Sequence, residues 1–187
     1  DYYYVKFFDS DNGVIVCGYA KSNDTNESSR IYSTSNGGES WDIVGSGPAT
    51  NIIKGVVYVS SDVGFFCYDY VEGMDSNLYK TDDGGKTFAK VMLEEQELDS
   101  SAANPQGQET ETKTDSGKNG ADSSEQLRWG DVYKEALTPV VDSTGIITIY
   151  LTQGKNAVYN DGKTAAKYQS SDKGSTWKYI GQVEIKD

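Results

Sequence analysis

The sequence predicts an all-β chain. Its 187 residues include 14 Tyr, 5 Phe and 3 Trp but only 3 Pro, and aromatic residues favour strands over helices. Short apolar runs, rich in β-branched and aromatic residues and bounded by turn formers, indicate the strands. These runs are Val14–Cys17, Ile52–Val59, Gly64–Tyr70 and Gly145–Leu151. The run with the most helix-like composition, residues 91–98, has no sustained apolar face, so no helix is predicted there.

Composition and charge argue against several classes of protein. The chain has 29 acidic and 17 basic residues, a net charge of −12. Because nucleic acids are bound through a basic face, no nucleic-acid partner is expected. No run of about 18 apolar residues exists, so no membrane insertion is expected. Histidine is absent, which excludes Ser-His-Asp and Cys-His catalysis and histidine-ligated zinc. We expect no metal and no cofactor.

An octapeptide repeat organises the chain. The pattern Ser/Thr-x-Asp/Asn-x-Gly-x-Ser/Thr-Trp/Phe occurs at residues 34–41, 81–88 and 170–177. Each copy, called a box below, follows a turn cluster and an apolar strand. Turn, strand, loop, strand, box and strand therefore recur three times, which predicts three four-stranded antiparallel units. The last strands of the units are predicted at Trp41–Val44, Phe88–Met92 and Trp177–Ile180.

Turn geometry explains the recurring positions of the box. An Asp or Asn side chain at the start of a hairpin accepts backbone N–H bonds and holds the turn. The glycine two residues later can adopt a positive φ, and the final aromatic residue buries a large area against the neighbouring sheet. We therefore interpret these residues as structural. They are Asn36, Gly38 and Trp41, then Asp83, Gly85 and Phe88, then Asp172, Gly174 and Trp177.

The three boxes resemble the Asp-box, or bacterial neuraminidase repeat, of sialidase-like β-propellers, sortilin-type receptors and photosystem-assembly propellers. The departure from the family pattern is Asn36, where Asp is usual. The resemblance implies a β-propeller-like fold of three four-stranded blades, either an incomplete propeller or a fragment of one. The blades would span residues 2–47, 52–93 and 129–187 of a single domain, with a disordered acidic insertion at 94–128 between the second and the third.

Three blades do not easily close a ring, because propellers usually have four to eight. An open arc would leave strand edges and apolar blade faces exposed. The chain is therefore expected to be a fragment of a longer propeller, a compact arc, or a chain that self-associates. A two-fold homodimer of six blades is the sharpest of these hypotheses.

Cys17 and Cys67 fall near the same point of the second strand in the first two units. Two interpretations remain open: buried free thiols that pack as small apolar residues, or a disulfide between blades in an exported protein. A secreted or cell-surface location is expected from the acidity, the abundance of Tyr, Asn, Ser and Thr, and the habit of the family.

The resemblance also allows a test of sialidase activity. Sialidases hold the substrate carboxylate with three arginines, whose planar guanidinium groups match it. This chain has only Arg30 and Arg128, and Arg30-Ile31 is followed by Tyr32 rather than by the Pro of the family's Arg-Ile-Pro motif. Sialidase activity is therefore disfavoured, and no catalytic residue is predicted.

The resemblance places ligand sites on the face opposite the boxes, and one loop there mixes acids with aromatic residues. We expect Tyr68 or Tyr70 to offer a stacking platform, with Asp69 or Glu72 accepting hydroxyl hydrogen bonds. The ordinary interpretation is a solvated loop whose tyrosines alternate into the sheet. The favoured function is a non-catalytic module that binds or scaffolds a glycan or a protein; the alternative is a non-sialidase glycoside hydrolase, or part of one, using loop carboxylates. Asp75 and Tyr159 complete the candidate ligand residues.

Overall fold

The computed structural model describes residues 2–18, 29–98, 128–154 and 159–185. These ranges contain thirteen strands in three antiparallel sheets. The first sheet comprises β1 (Tyr2–Phe7), β2 (Gly13–Gly18), β3 (Ser29–Thr34) and β4 (Asp42–Ser46). The second comprises β5 (Ile53–Tyr58), β6 (Gly64–Tyr68), β7 (Leu78–Thr81) and β8 (Ala89–Lys90). The third comprises β9 (Glu135–Ala136), β10 (Val140–Val141), β11 (Ile147–Thr152), β12 (Thr164–Ser170) and β13 (Lys178–Glu184).

The predicted all-β class is confirmed. In each sheet the strands pair in chain order. In the third sheet β9 and β10 both pair with β11, so together they occupy the position that one strand occupies in the other two sheets. Within the described ranges, no helix is long or apolar enough to cross a membrane.

A single helical turn, α1 (Trp129–Val132), was not predicted. Trp, Gly and Val have low helix propensity, so the sequence carries no helical signal there. The turn is held by burial instead, because Trp129 and Val132 are both almost fully buried. Tertiary packing is the usual source of stability for a helix this short.

The second sheet lies between the other two. Successive side chains of a strand point to opposite faces, and all five residues of β6 are buried. Phe66 and Tyr68 pack against Val14, Val16 and Ile31 of the first sheet. On the other face, Phe65 and Cys67 pack against β11 of the third sheet, at Ile147 and Ile149. The order of the sheets in space is therefore their order along the chain.

The box turns are held by their side chains. Asp83 Oδ1 accepts the backbone N–H groups of Lys86 and Thr87 at 3.0 and 2.9 Å, and Asp172 Oδ1 accepts those of Ser175 and Thr176 at the same distances. Asn36 Oδ1 accepts the N–H group of Ser40, at 3.0 Å. These are the contacts that a turn-holding residue makes.

The final aromatic residue of each box meets another aromatic ring edge-on. Trp41 contacts Phe7 at a centroid distance of 5.9 Å, Phe88 contacts Phe66 at 4.9 Å, and Trp177 contacts Phe65 at 6.0 Å. The partner of Trp177 belongs to the preceding sheet, whereas Trp41 meets a residue of its own sheet. Phe88 likewise meets a ring of its own sheet, Phe66, so the ring contact between two sheets is that of Trp177.

Both cysteines are free thiols, so the structure contains no disulfide between them. Cys67 lies in the interface between the second and third sheets, and burial raises the pKa of its thiol to about 11. Cys17 lies on the opposite side of its own sheet from Val14 and Val16, which face the second sheet. Residues 99–127 of the predicted insertion lie outside the described residues. Its first residues lie against the third sheet, where the Tyr168 hydroxyl donates to the Glu94 carbonyl at 2.7 Å.

Candidate functional site

A cleft lies at the end of the sheets opposite the boxes. Each box connects the third strand of a sheet to the fourth, so the loop between β6 and β7, residues 69–77, lies at the other end of β7. This loop, α1 and residues 91–95 surround a cavity of about 340 Å³. Cavities of this size that combine aromatic residues with a few polar groups are typical of small-ligand sites.

Aromatic side chains form one part of the wall. Tyr70 is half-buried and lines the cavity. Trp129 and Tyr133 also line it, but both are almost fully buried; their ring centroids are 4.7 Å apart, and Tyr179 contacts Trp129 edge-on. Tyr70 is therefore the aromatic ring available to a ligand, and the Trp129–Tyr133 pair holds the wall in place.

Four carboxylates of the cleft are each paired with a cation. Every pair joins two side chains at the surface, at an N–O distance of 2.8 Å. The pairs are Asp69 with Lys54, Glu72 with Lys134, Asp75 with Lys90, and Asp131 with Arg128.

The ion pairs also shift the pKa values of some of these groups. The hydrogen bond from Lys90 lowers the pKa of Asp75, and the hydrogen bond from Arg128 lowers the pKa of Asp131. The hydrogen bond with Glu72 raises the pKa of Lys134. A general acid in a glycosidase needs a carboxyl whose pKa is raised, and these two shifts have the opposite direction. Asp75 and Asp131 are suited to accept hydrogen bonds from a ligand.

A second depression, of about 820 Å³, adjoins the first. Tyr70, Glu72, Asp131 and Lys134 line both cavities. The far side of the second depression carries polar groups, among them Gln153. Tyr70 and the Glu72–Lys134 pair therefore lie where the two depressions meet, and together the depressions form one elongated cleft between the second and third sheets.

The structure brings four of the predicted ligand residues together: Asp69, Tyr70, Glu72 and Asp75 all line this cleft. The other two predictions need correction. Tyr68 is fully buried because β6 continues through it and turns its ring towards the first sheet, where its hydroxyl lies 2.9 Å from Ser29 Oγ. Tyr159 is also buried, with its ring against Tyr133. Neither ring can stack on a ligand.

Sequence reasoning missed the contribution of residues 128–134. Trp129, Asp131, Tyr133 and Lys134 all line the cleft. The available signal was the dense aromatic and charged run that directly follows a long polar segment. Among the described residues there is no cluster of three or more His, Cys, Asp or Glu side chains that could hold a metal ion.

The fold and the cleft define an all-β protein of three packed antiparallel sheets with a polar and aromatic cleft at one end. No protein-family model matches the chain, and no curated protein matches its sequence. Among solved structures, the chain is similar to the GH74 enzyme of Niastella koreensis, with 16% sequence identity and a TM-score of 0.44. The similarity covers 90% of this chain and 19% of that enzyme, so the chain spans about a fifth of that neighbour's length.

Proposed function

We propose that the chain is a non-catalytic binding module and that its cleft binds a neutral carbohydrate. The observation that carries this proposal is the position of Tyr70, an accessible ring between two polar depressions, flanked by carboxylates that are paired with lysines. Sugars present C–H faces that stack on aromatic rings and hydroxyl groups that donate to carboxylates. The cleft offers both kinds of contact within one site.

The propeller arrangement is part of the same proposal. In each of the three sheets a box joins the last two strands as a hairpin. Consecutive sheets pack face to face in chain order. These features support the interpretation of the sheets as blades, with boundaries at 2–47, 52–93 and 129–187. The cleft would then lie between the second and third blades, on the face opposite the boxes.

Electrostatics favour a neutral ligand. The net charge of −12 opposes anionic polymers. In addition, both lysines among the described wall residues already have a carboxylate partner, since Lys54 pairs with Asp69 and Lys134 with Glu72. An anionic sugar would have to break such a pair, whereas a neutral sugar could donate to the same oxygens without doing so. A secreted or cell-surface location remains a prediction.

Calorimetric titration of the full chain with a panel of neutral oligosaccharides tests the proposal. The chain should bind at least one of them, and Tyr70→Ala should weaken that affinity about tenfold or more. Tyr70→Phe should retain binding, because the ring is kept. Tyr3→Ala, at an exposed tyrosine of the first sheet, is the matched control and should bind as the wild type does. Failure to bind any neutral sugar, or binding that ignores Tyr70→Ala, would contradict the proposal.

A further inference from the structure

The first sheet presents an apolar face that no other sheet covers within the described part of the chain. Its strand register places one set of side chains on the side away from the second sheet. Tyr3, Val5, Phe7 and Ile43 are 68%, 57%, 44% and 65% exposed. With the half-buried Ile15, Cys17, Arg30 and Tyr32, they form what we call the outer face of the first sheet.

Several of the matching positions of the second sheet are buried. Phe7 pairs with Gly13 as Tyr58 pairs with Gly64 and Val141 with Ile147. This register matches Phe7 and Ile15 of the outer face with Tyr58 and Phe66 of the second sheet. Tyr58 and Phe66 are fully buried against the first sheet. The outer face therefore has the composition of a sheet-packing face.

The box glycines show the same difference. A Cβ at Gly85 would meet Ile31 of the first sheet at 3.1 Å, and one at Gly174 would meet Phe65 of the second sheet at 2.5 Å. At Gly38 the nearest atoms belong to Phe7 and Trp41 of its own sheet, at 3.4 and 3.5 Å. The box glycines of the second and third units therefore contact the preceding sheet. The box glycine of the first unit, Gly38, contacts no other sheet in the described structure.

We propose that the outer face of the first sheet is the interface of a two-fold homodimer. Charge is the first reason: the described residues of the face include one basic side chain, Arg30, and no acid, although the chain has a net charge of −12. Area is the second. The four most exposed side chains present roughly 400 Å² of mostly apolar surface, about half of the ~800 Å² that each partner of a stable interface contributes. Neighbouring half-buried side chains and strand edges can supply the remainder.

The other occupants fit less well. The two longer chain segments outside the described residues, 19–28 and 99–127, contain almost no large apolar side chains, so they have little apolar surface to bury there. The third sheet's outward side chains include Thr148, Lys167 and Gln169, and docking them on the outer face would bury polar groups without partners. A second copy of the same face is complementary, because a two-fold contact places identical patches together.

Sedimentation equilibrium of the full chain, between micromolar and millimolar concentration, tests this proposal. The expected result is a transition from the chain mass of 20.4 kDa to twice that mass. Ile43→Glu and Tyr3→Glu should each weaken the dimer about tenfold or more. Val140→Glu, at a 60% exposed apolar residue of the third sheet, is the matched control and should leave the dimer intact.

Alkylation of Cys17 gives a second readout. Because Cys17 lies on the outer face, its alkylation should slow as protein concentration rises, and Ile43→Glu should remove that dependence. A monomer at every concentration would overturn the proposal, as would a dimer broken by Val140→Glu but not by Ile43→Glu. Masses that grow beyond the dimer would also overturn it, because they indicate open-ended association. None of these outcomes depends on carbohydrate binding.

Discussion

The side-chain amide of Asn77 is hydrogen-bonded to both backbone groups of Ala136. Asn77 Nδ2 donates to the Ala136 carbonyl at 2.9 Å, and the Ala136 N–H group donates to Asn77 Oδ1 at 2.8 Å. The same Nδ2 also donates to the Tyr68 carbonyl at 2.8 Å. The amide thus occupies the place of a peptide group between the second and third sheets. It joins them next to the cleft by polar contacts as well as by apolar packing.

Asn77→Ala should destabilise the chain by about 2–4 kcal/mol, because it leaves buried backbone groups of Ala136 without these partners. Urea unfolding of the full chain measures this loss. The control is Asn51→Ala, at a half-buried amide that donates to the Asp69 carbonyl at 3.1 Å, and its cost should stay below about 1.5 kcal/mol. Equal losses for the two variants would show that the Asn77 amide does not couple the sheets.

Substitutions at Tyr68 are expected to change the stability of the chain, and substitutions at Tyr70 its carbohydrate affinity. Tyr68→Phe removes the buried hydroxyl beside Ser29, so it should cost about 0.5–1.5 kcal/mol of unfolding free energy. It should leave carbohydrate affinity unchanged. Tyr70→Phe should change neither property appreciably, whereas Tyr70→Ala should weaken carbohydrate binding about tenfold or more. Loss of affinity in Tyr68→Phe would contradict the assignment of Tyr68 to the core.

Gly174 and Gly145 provide a matched test of close packing at a box. Both have a positive φ, 78° and 86°. A Cβ at Gly174 would lie 2.5 Å from Phe65 Cζ, whereas a Cβ at Gly145 would have no atom within 4 Å. Gly145→Ala should therefore cost only the backbone strain, about 1–2 kcal/mol. Gly174→Ala should cost about 2–4 kcal/mol, since overpacking is added. Similar melting temperatures for the two variants would exclude a tight contact between box and sheet.

Acid should destabilise the chain through its boxes. Hydrogen bonds from Thr87 hold the pKa of Asp83 far below its ordinary value of 3.8, and those from Thr176 do the same for Asp172. Because the folded-state pKa is depressed, this stabilisation is present above the ordinary value and is lost as the pH falls below it.

The double variant Asp83→Asn/Asp172→Asn should therefore show a flatter dependence of melting temperature on pH between about 4 and 2. Glu39→Gln, at an exposed acid of the first box, serves as the control and should follow the wild type. Should the double variant also follow the wild type, the box carboxylates would not be the source of acid sensitivity.

No hydrolysis of aryl glycosides is expected. The resolved pKa shifts of the cleft carboxyls, at Asp75 and Asp131, are downward, whereas a catalytic acid must be protonated near its working pH. Release of chromophore from a panel of aryl glycosides measures this directly. Turnover that disappears in Glu72→Gln would favour the hydrolase hypothesis over the binding module.

The arrangement of the sheets was largely predictable from local signals. Turn residues, β-branched runs and the three boxes all act over a few residues, so they located the second strands correctly: Val14–Cys17 was predicted and Gly13–Gly18 is observed. Strand ends were less accurate. The run Gly64–Tyr70 stops as a strand at Tyr68, because pairing with β7, rather than composition, determines where the ladder ends.

The candidate site was only half predictable. Asp69, Tyr70, Glu72 and Asp75 belong to one loop, so their proximity follows from the chain. Trp129 and Lys134 reach the same cleft from the far side of a long segment, and only the packing of the third sheet on the second brings them there. Which tyrosine faces a ligand also depends on packing, because β6 ends at Tyr68, which is buried against the first sheet, whereas Tyr70 lies in the loop that follows.

The sequence alone thus determined the all-β class, the number of box hairpins and the residues that hold their turns, because each is decided by the conformations open to a short segment. Tertiary structure decided the burial of Tyr68 and Tyr159, the pairing of the cleft carboxylates with cations, and the exposure of the outer face. Apart from the Arg128–Asp131 pair, which joins residues three apart, these properties depend on contacts between residues far apart in the chain, and no local pattern records them.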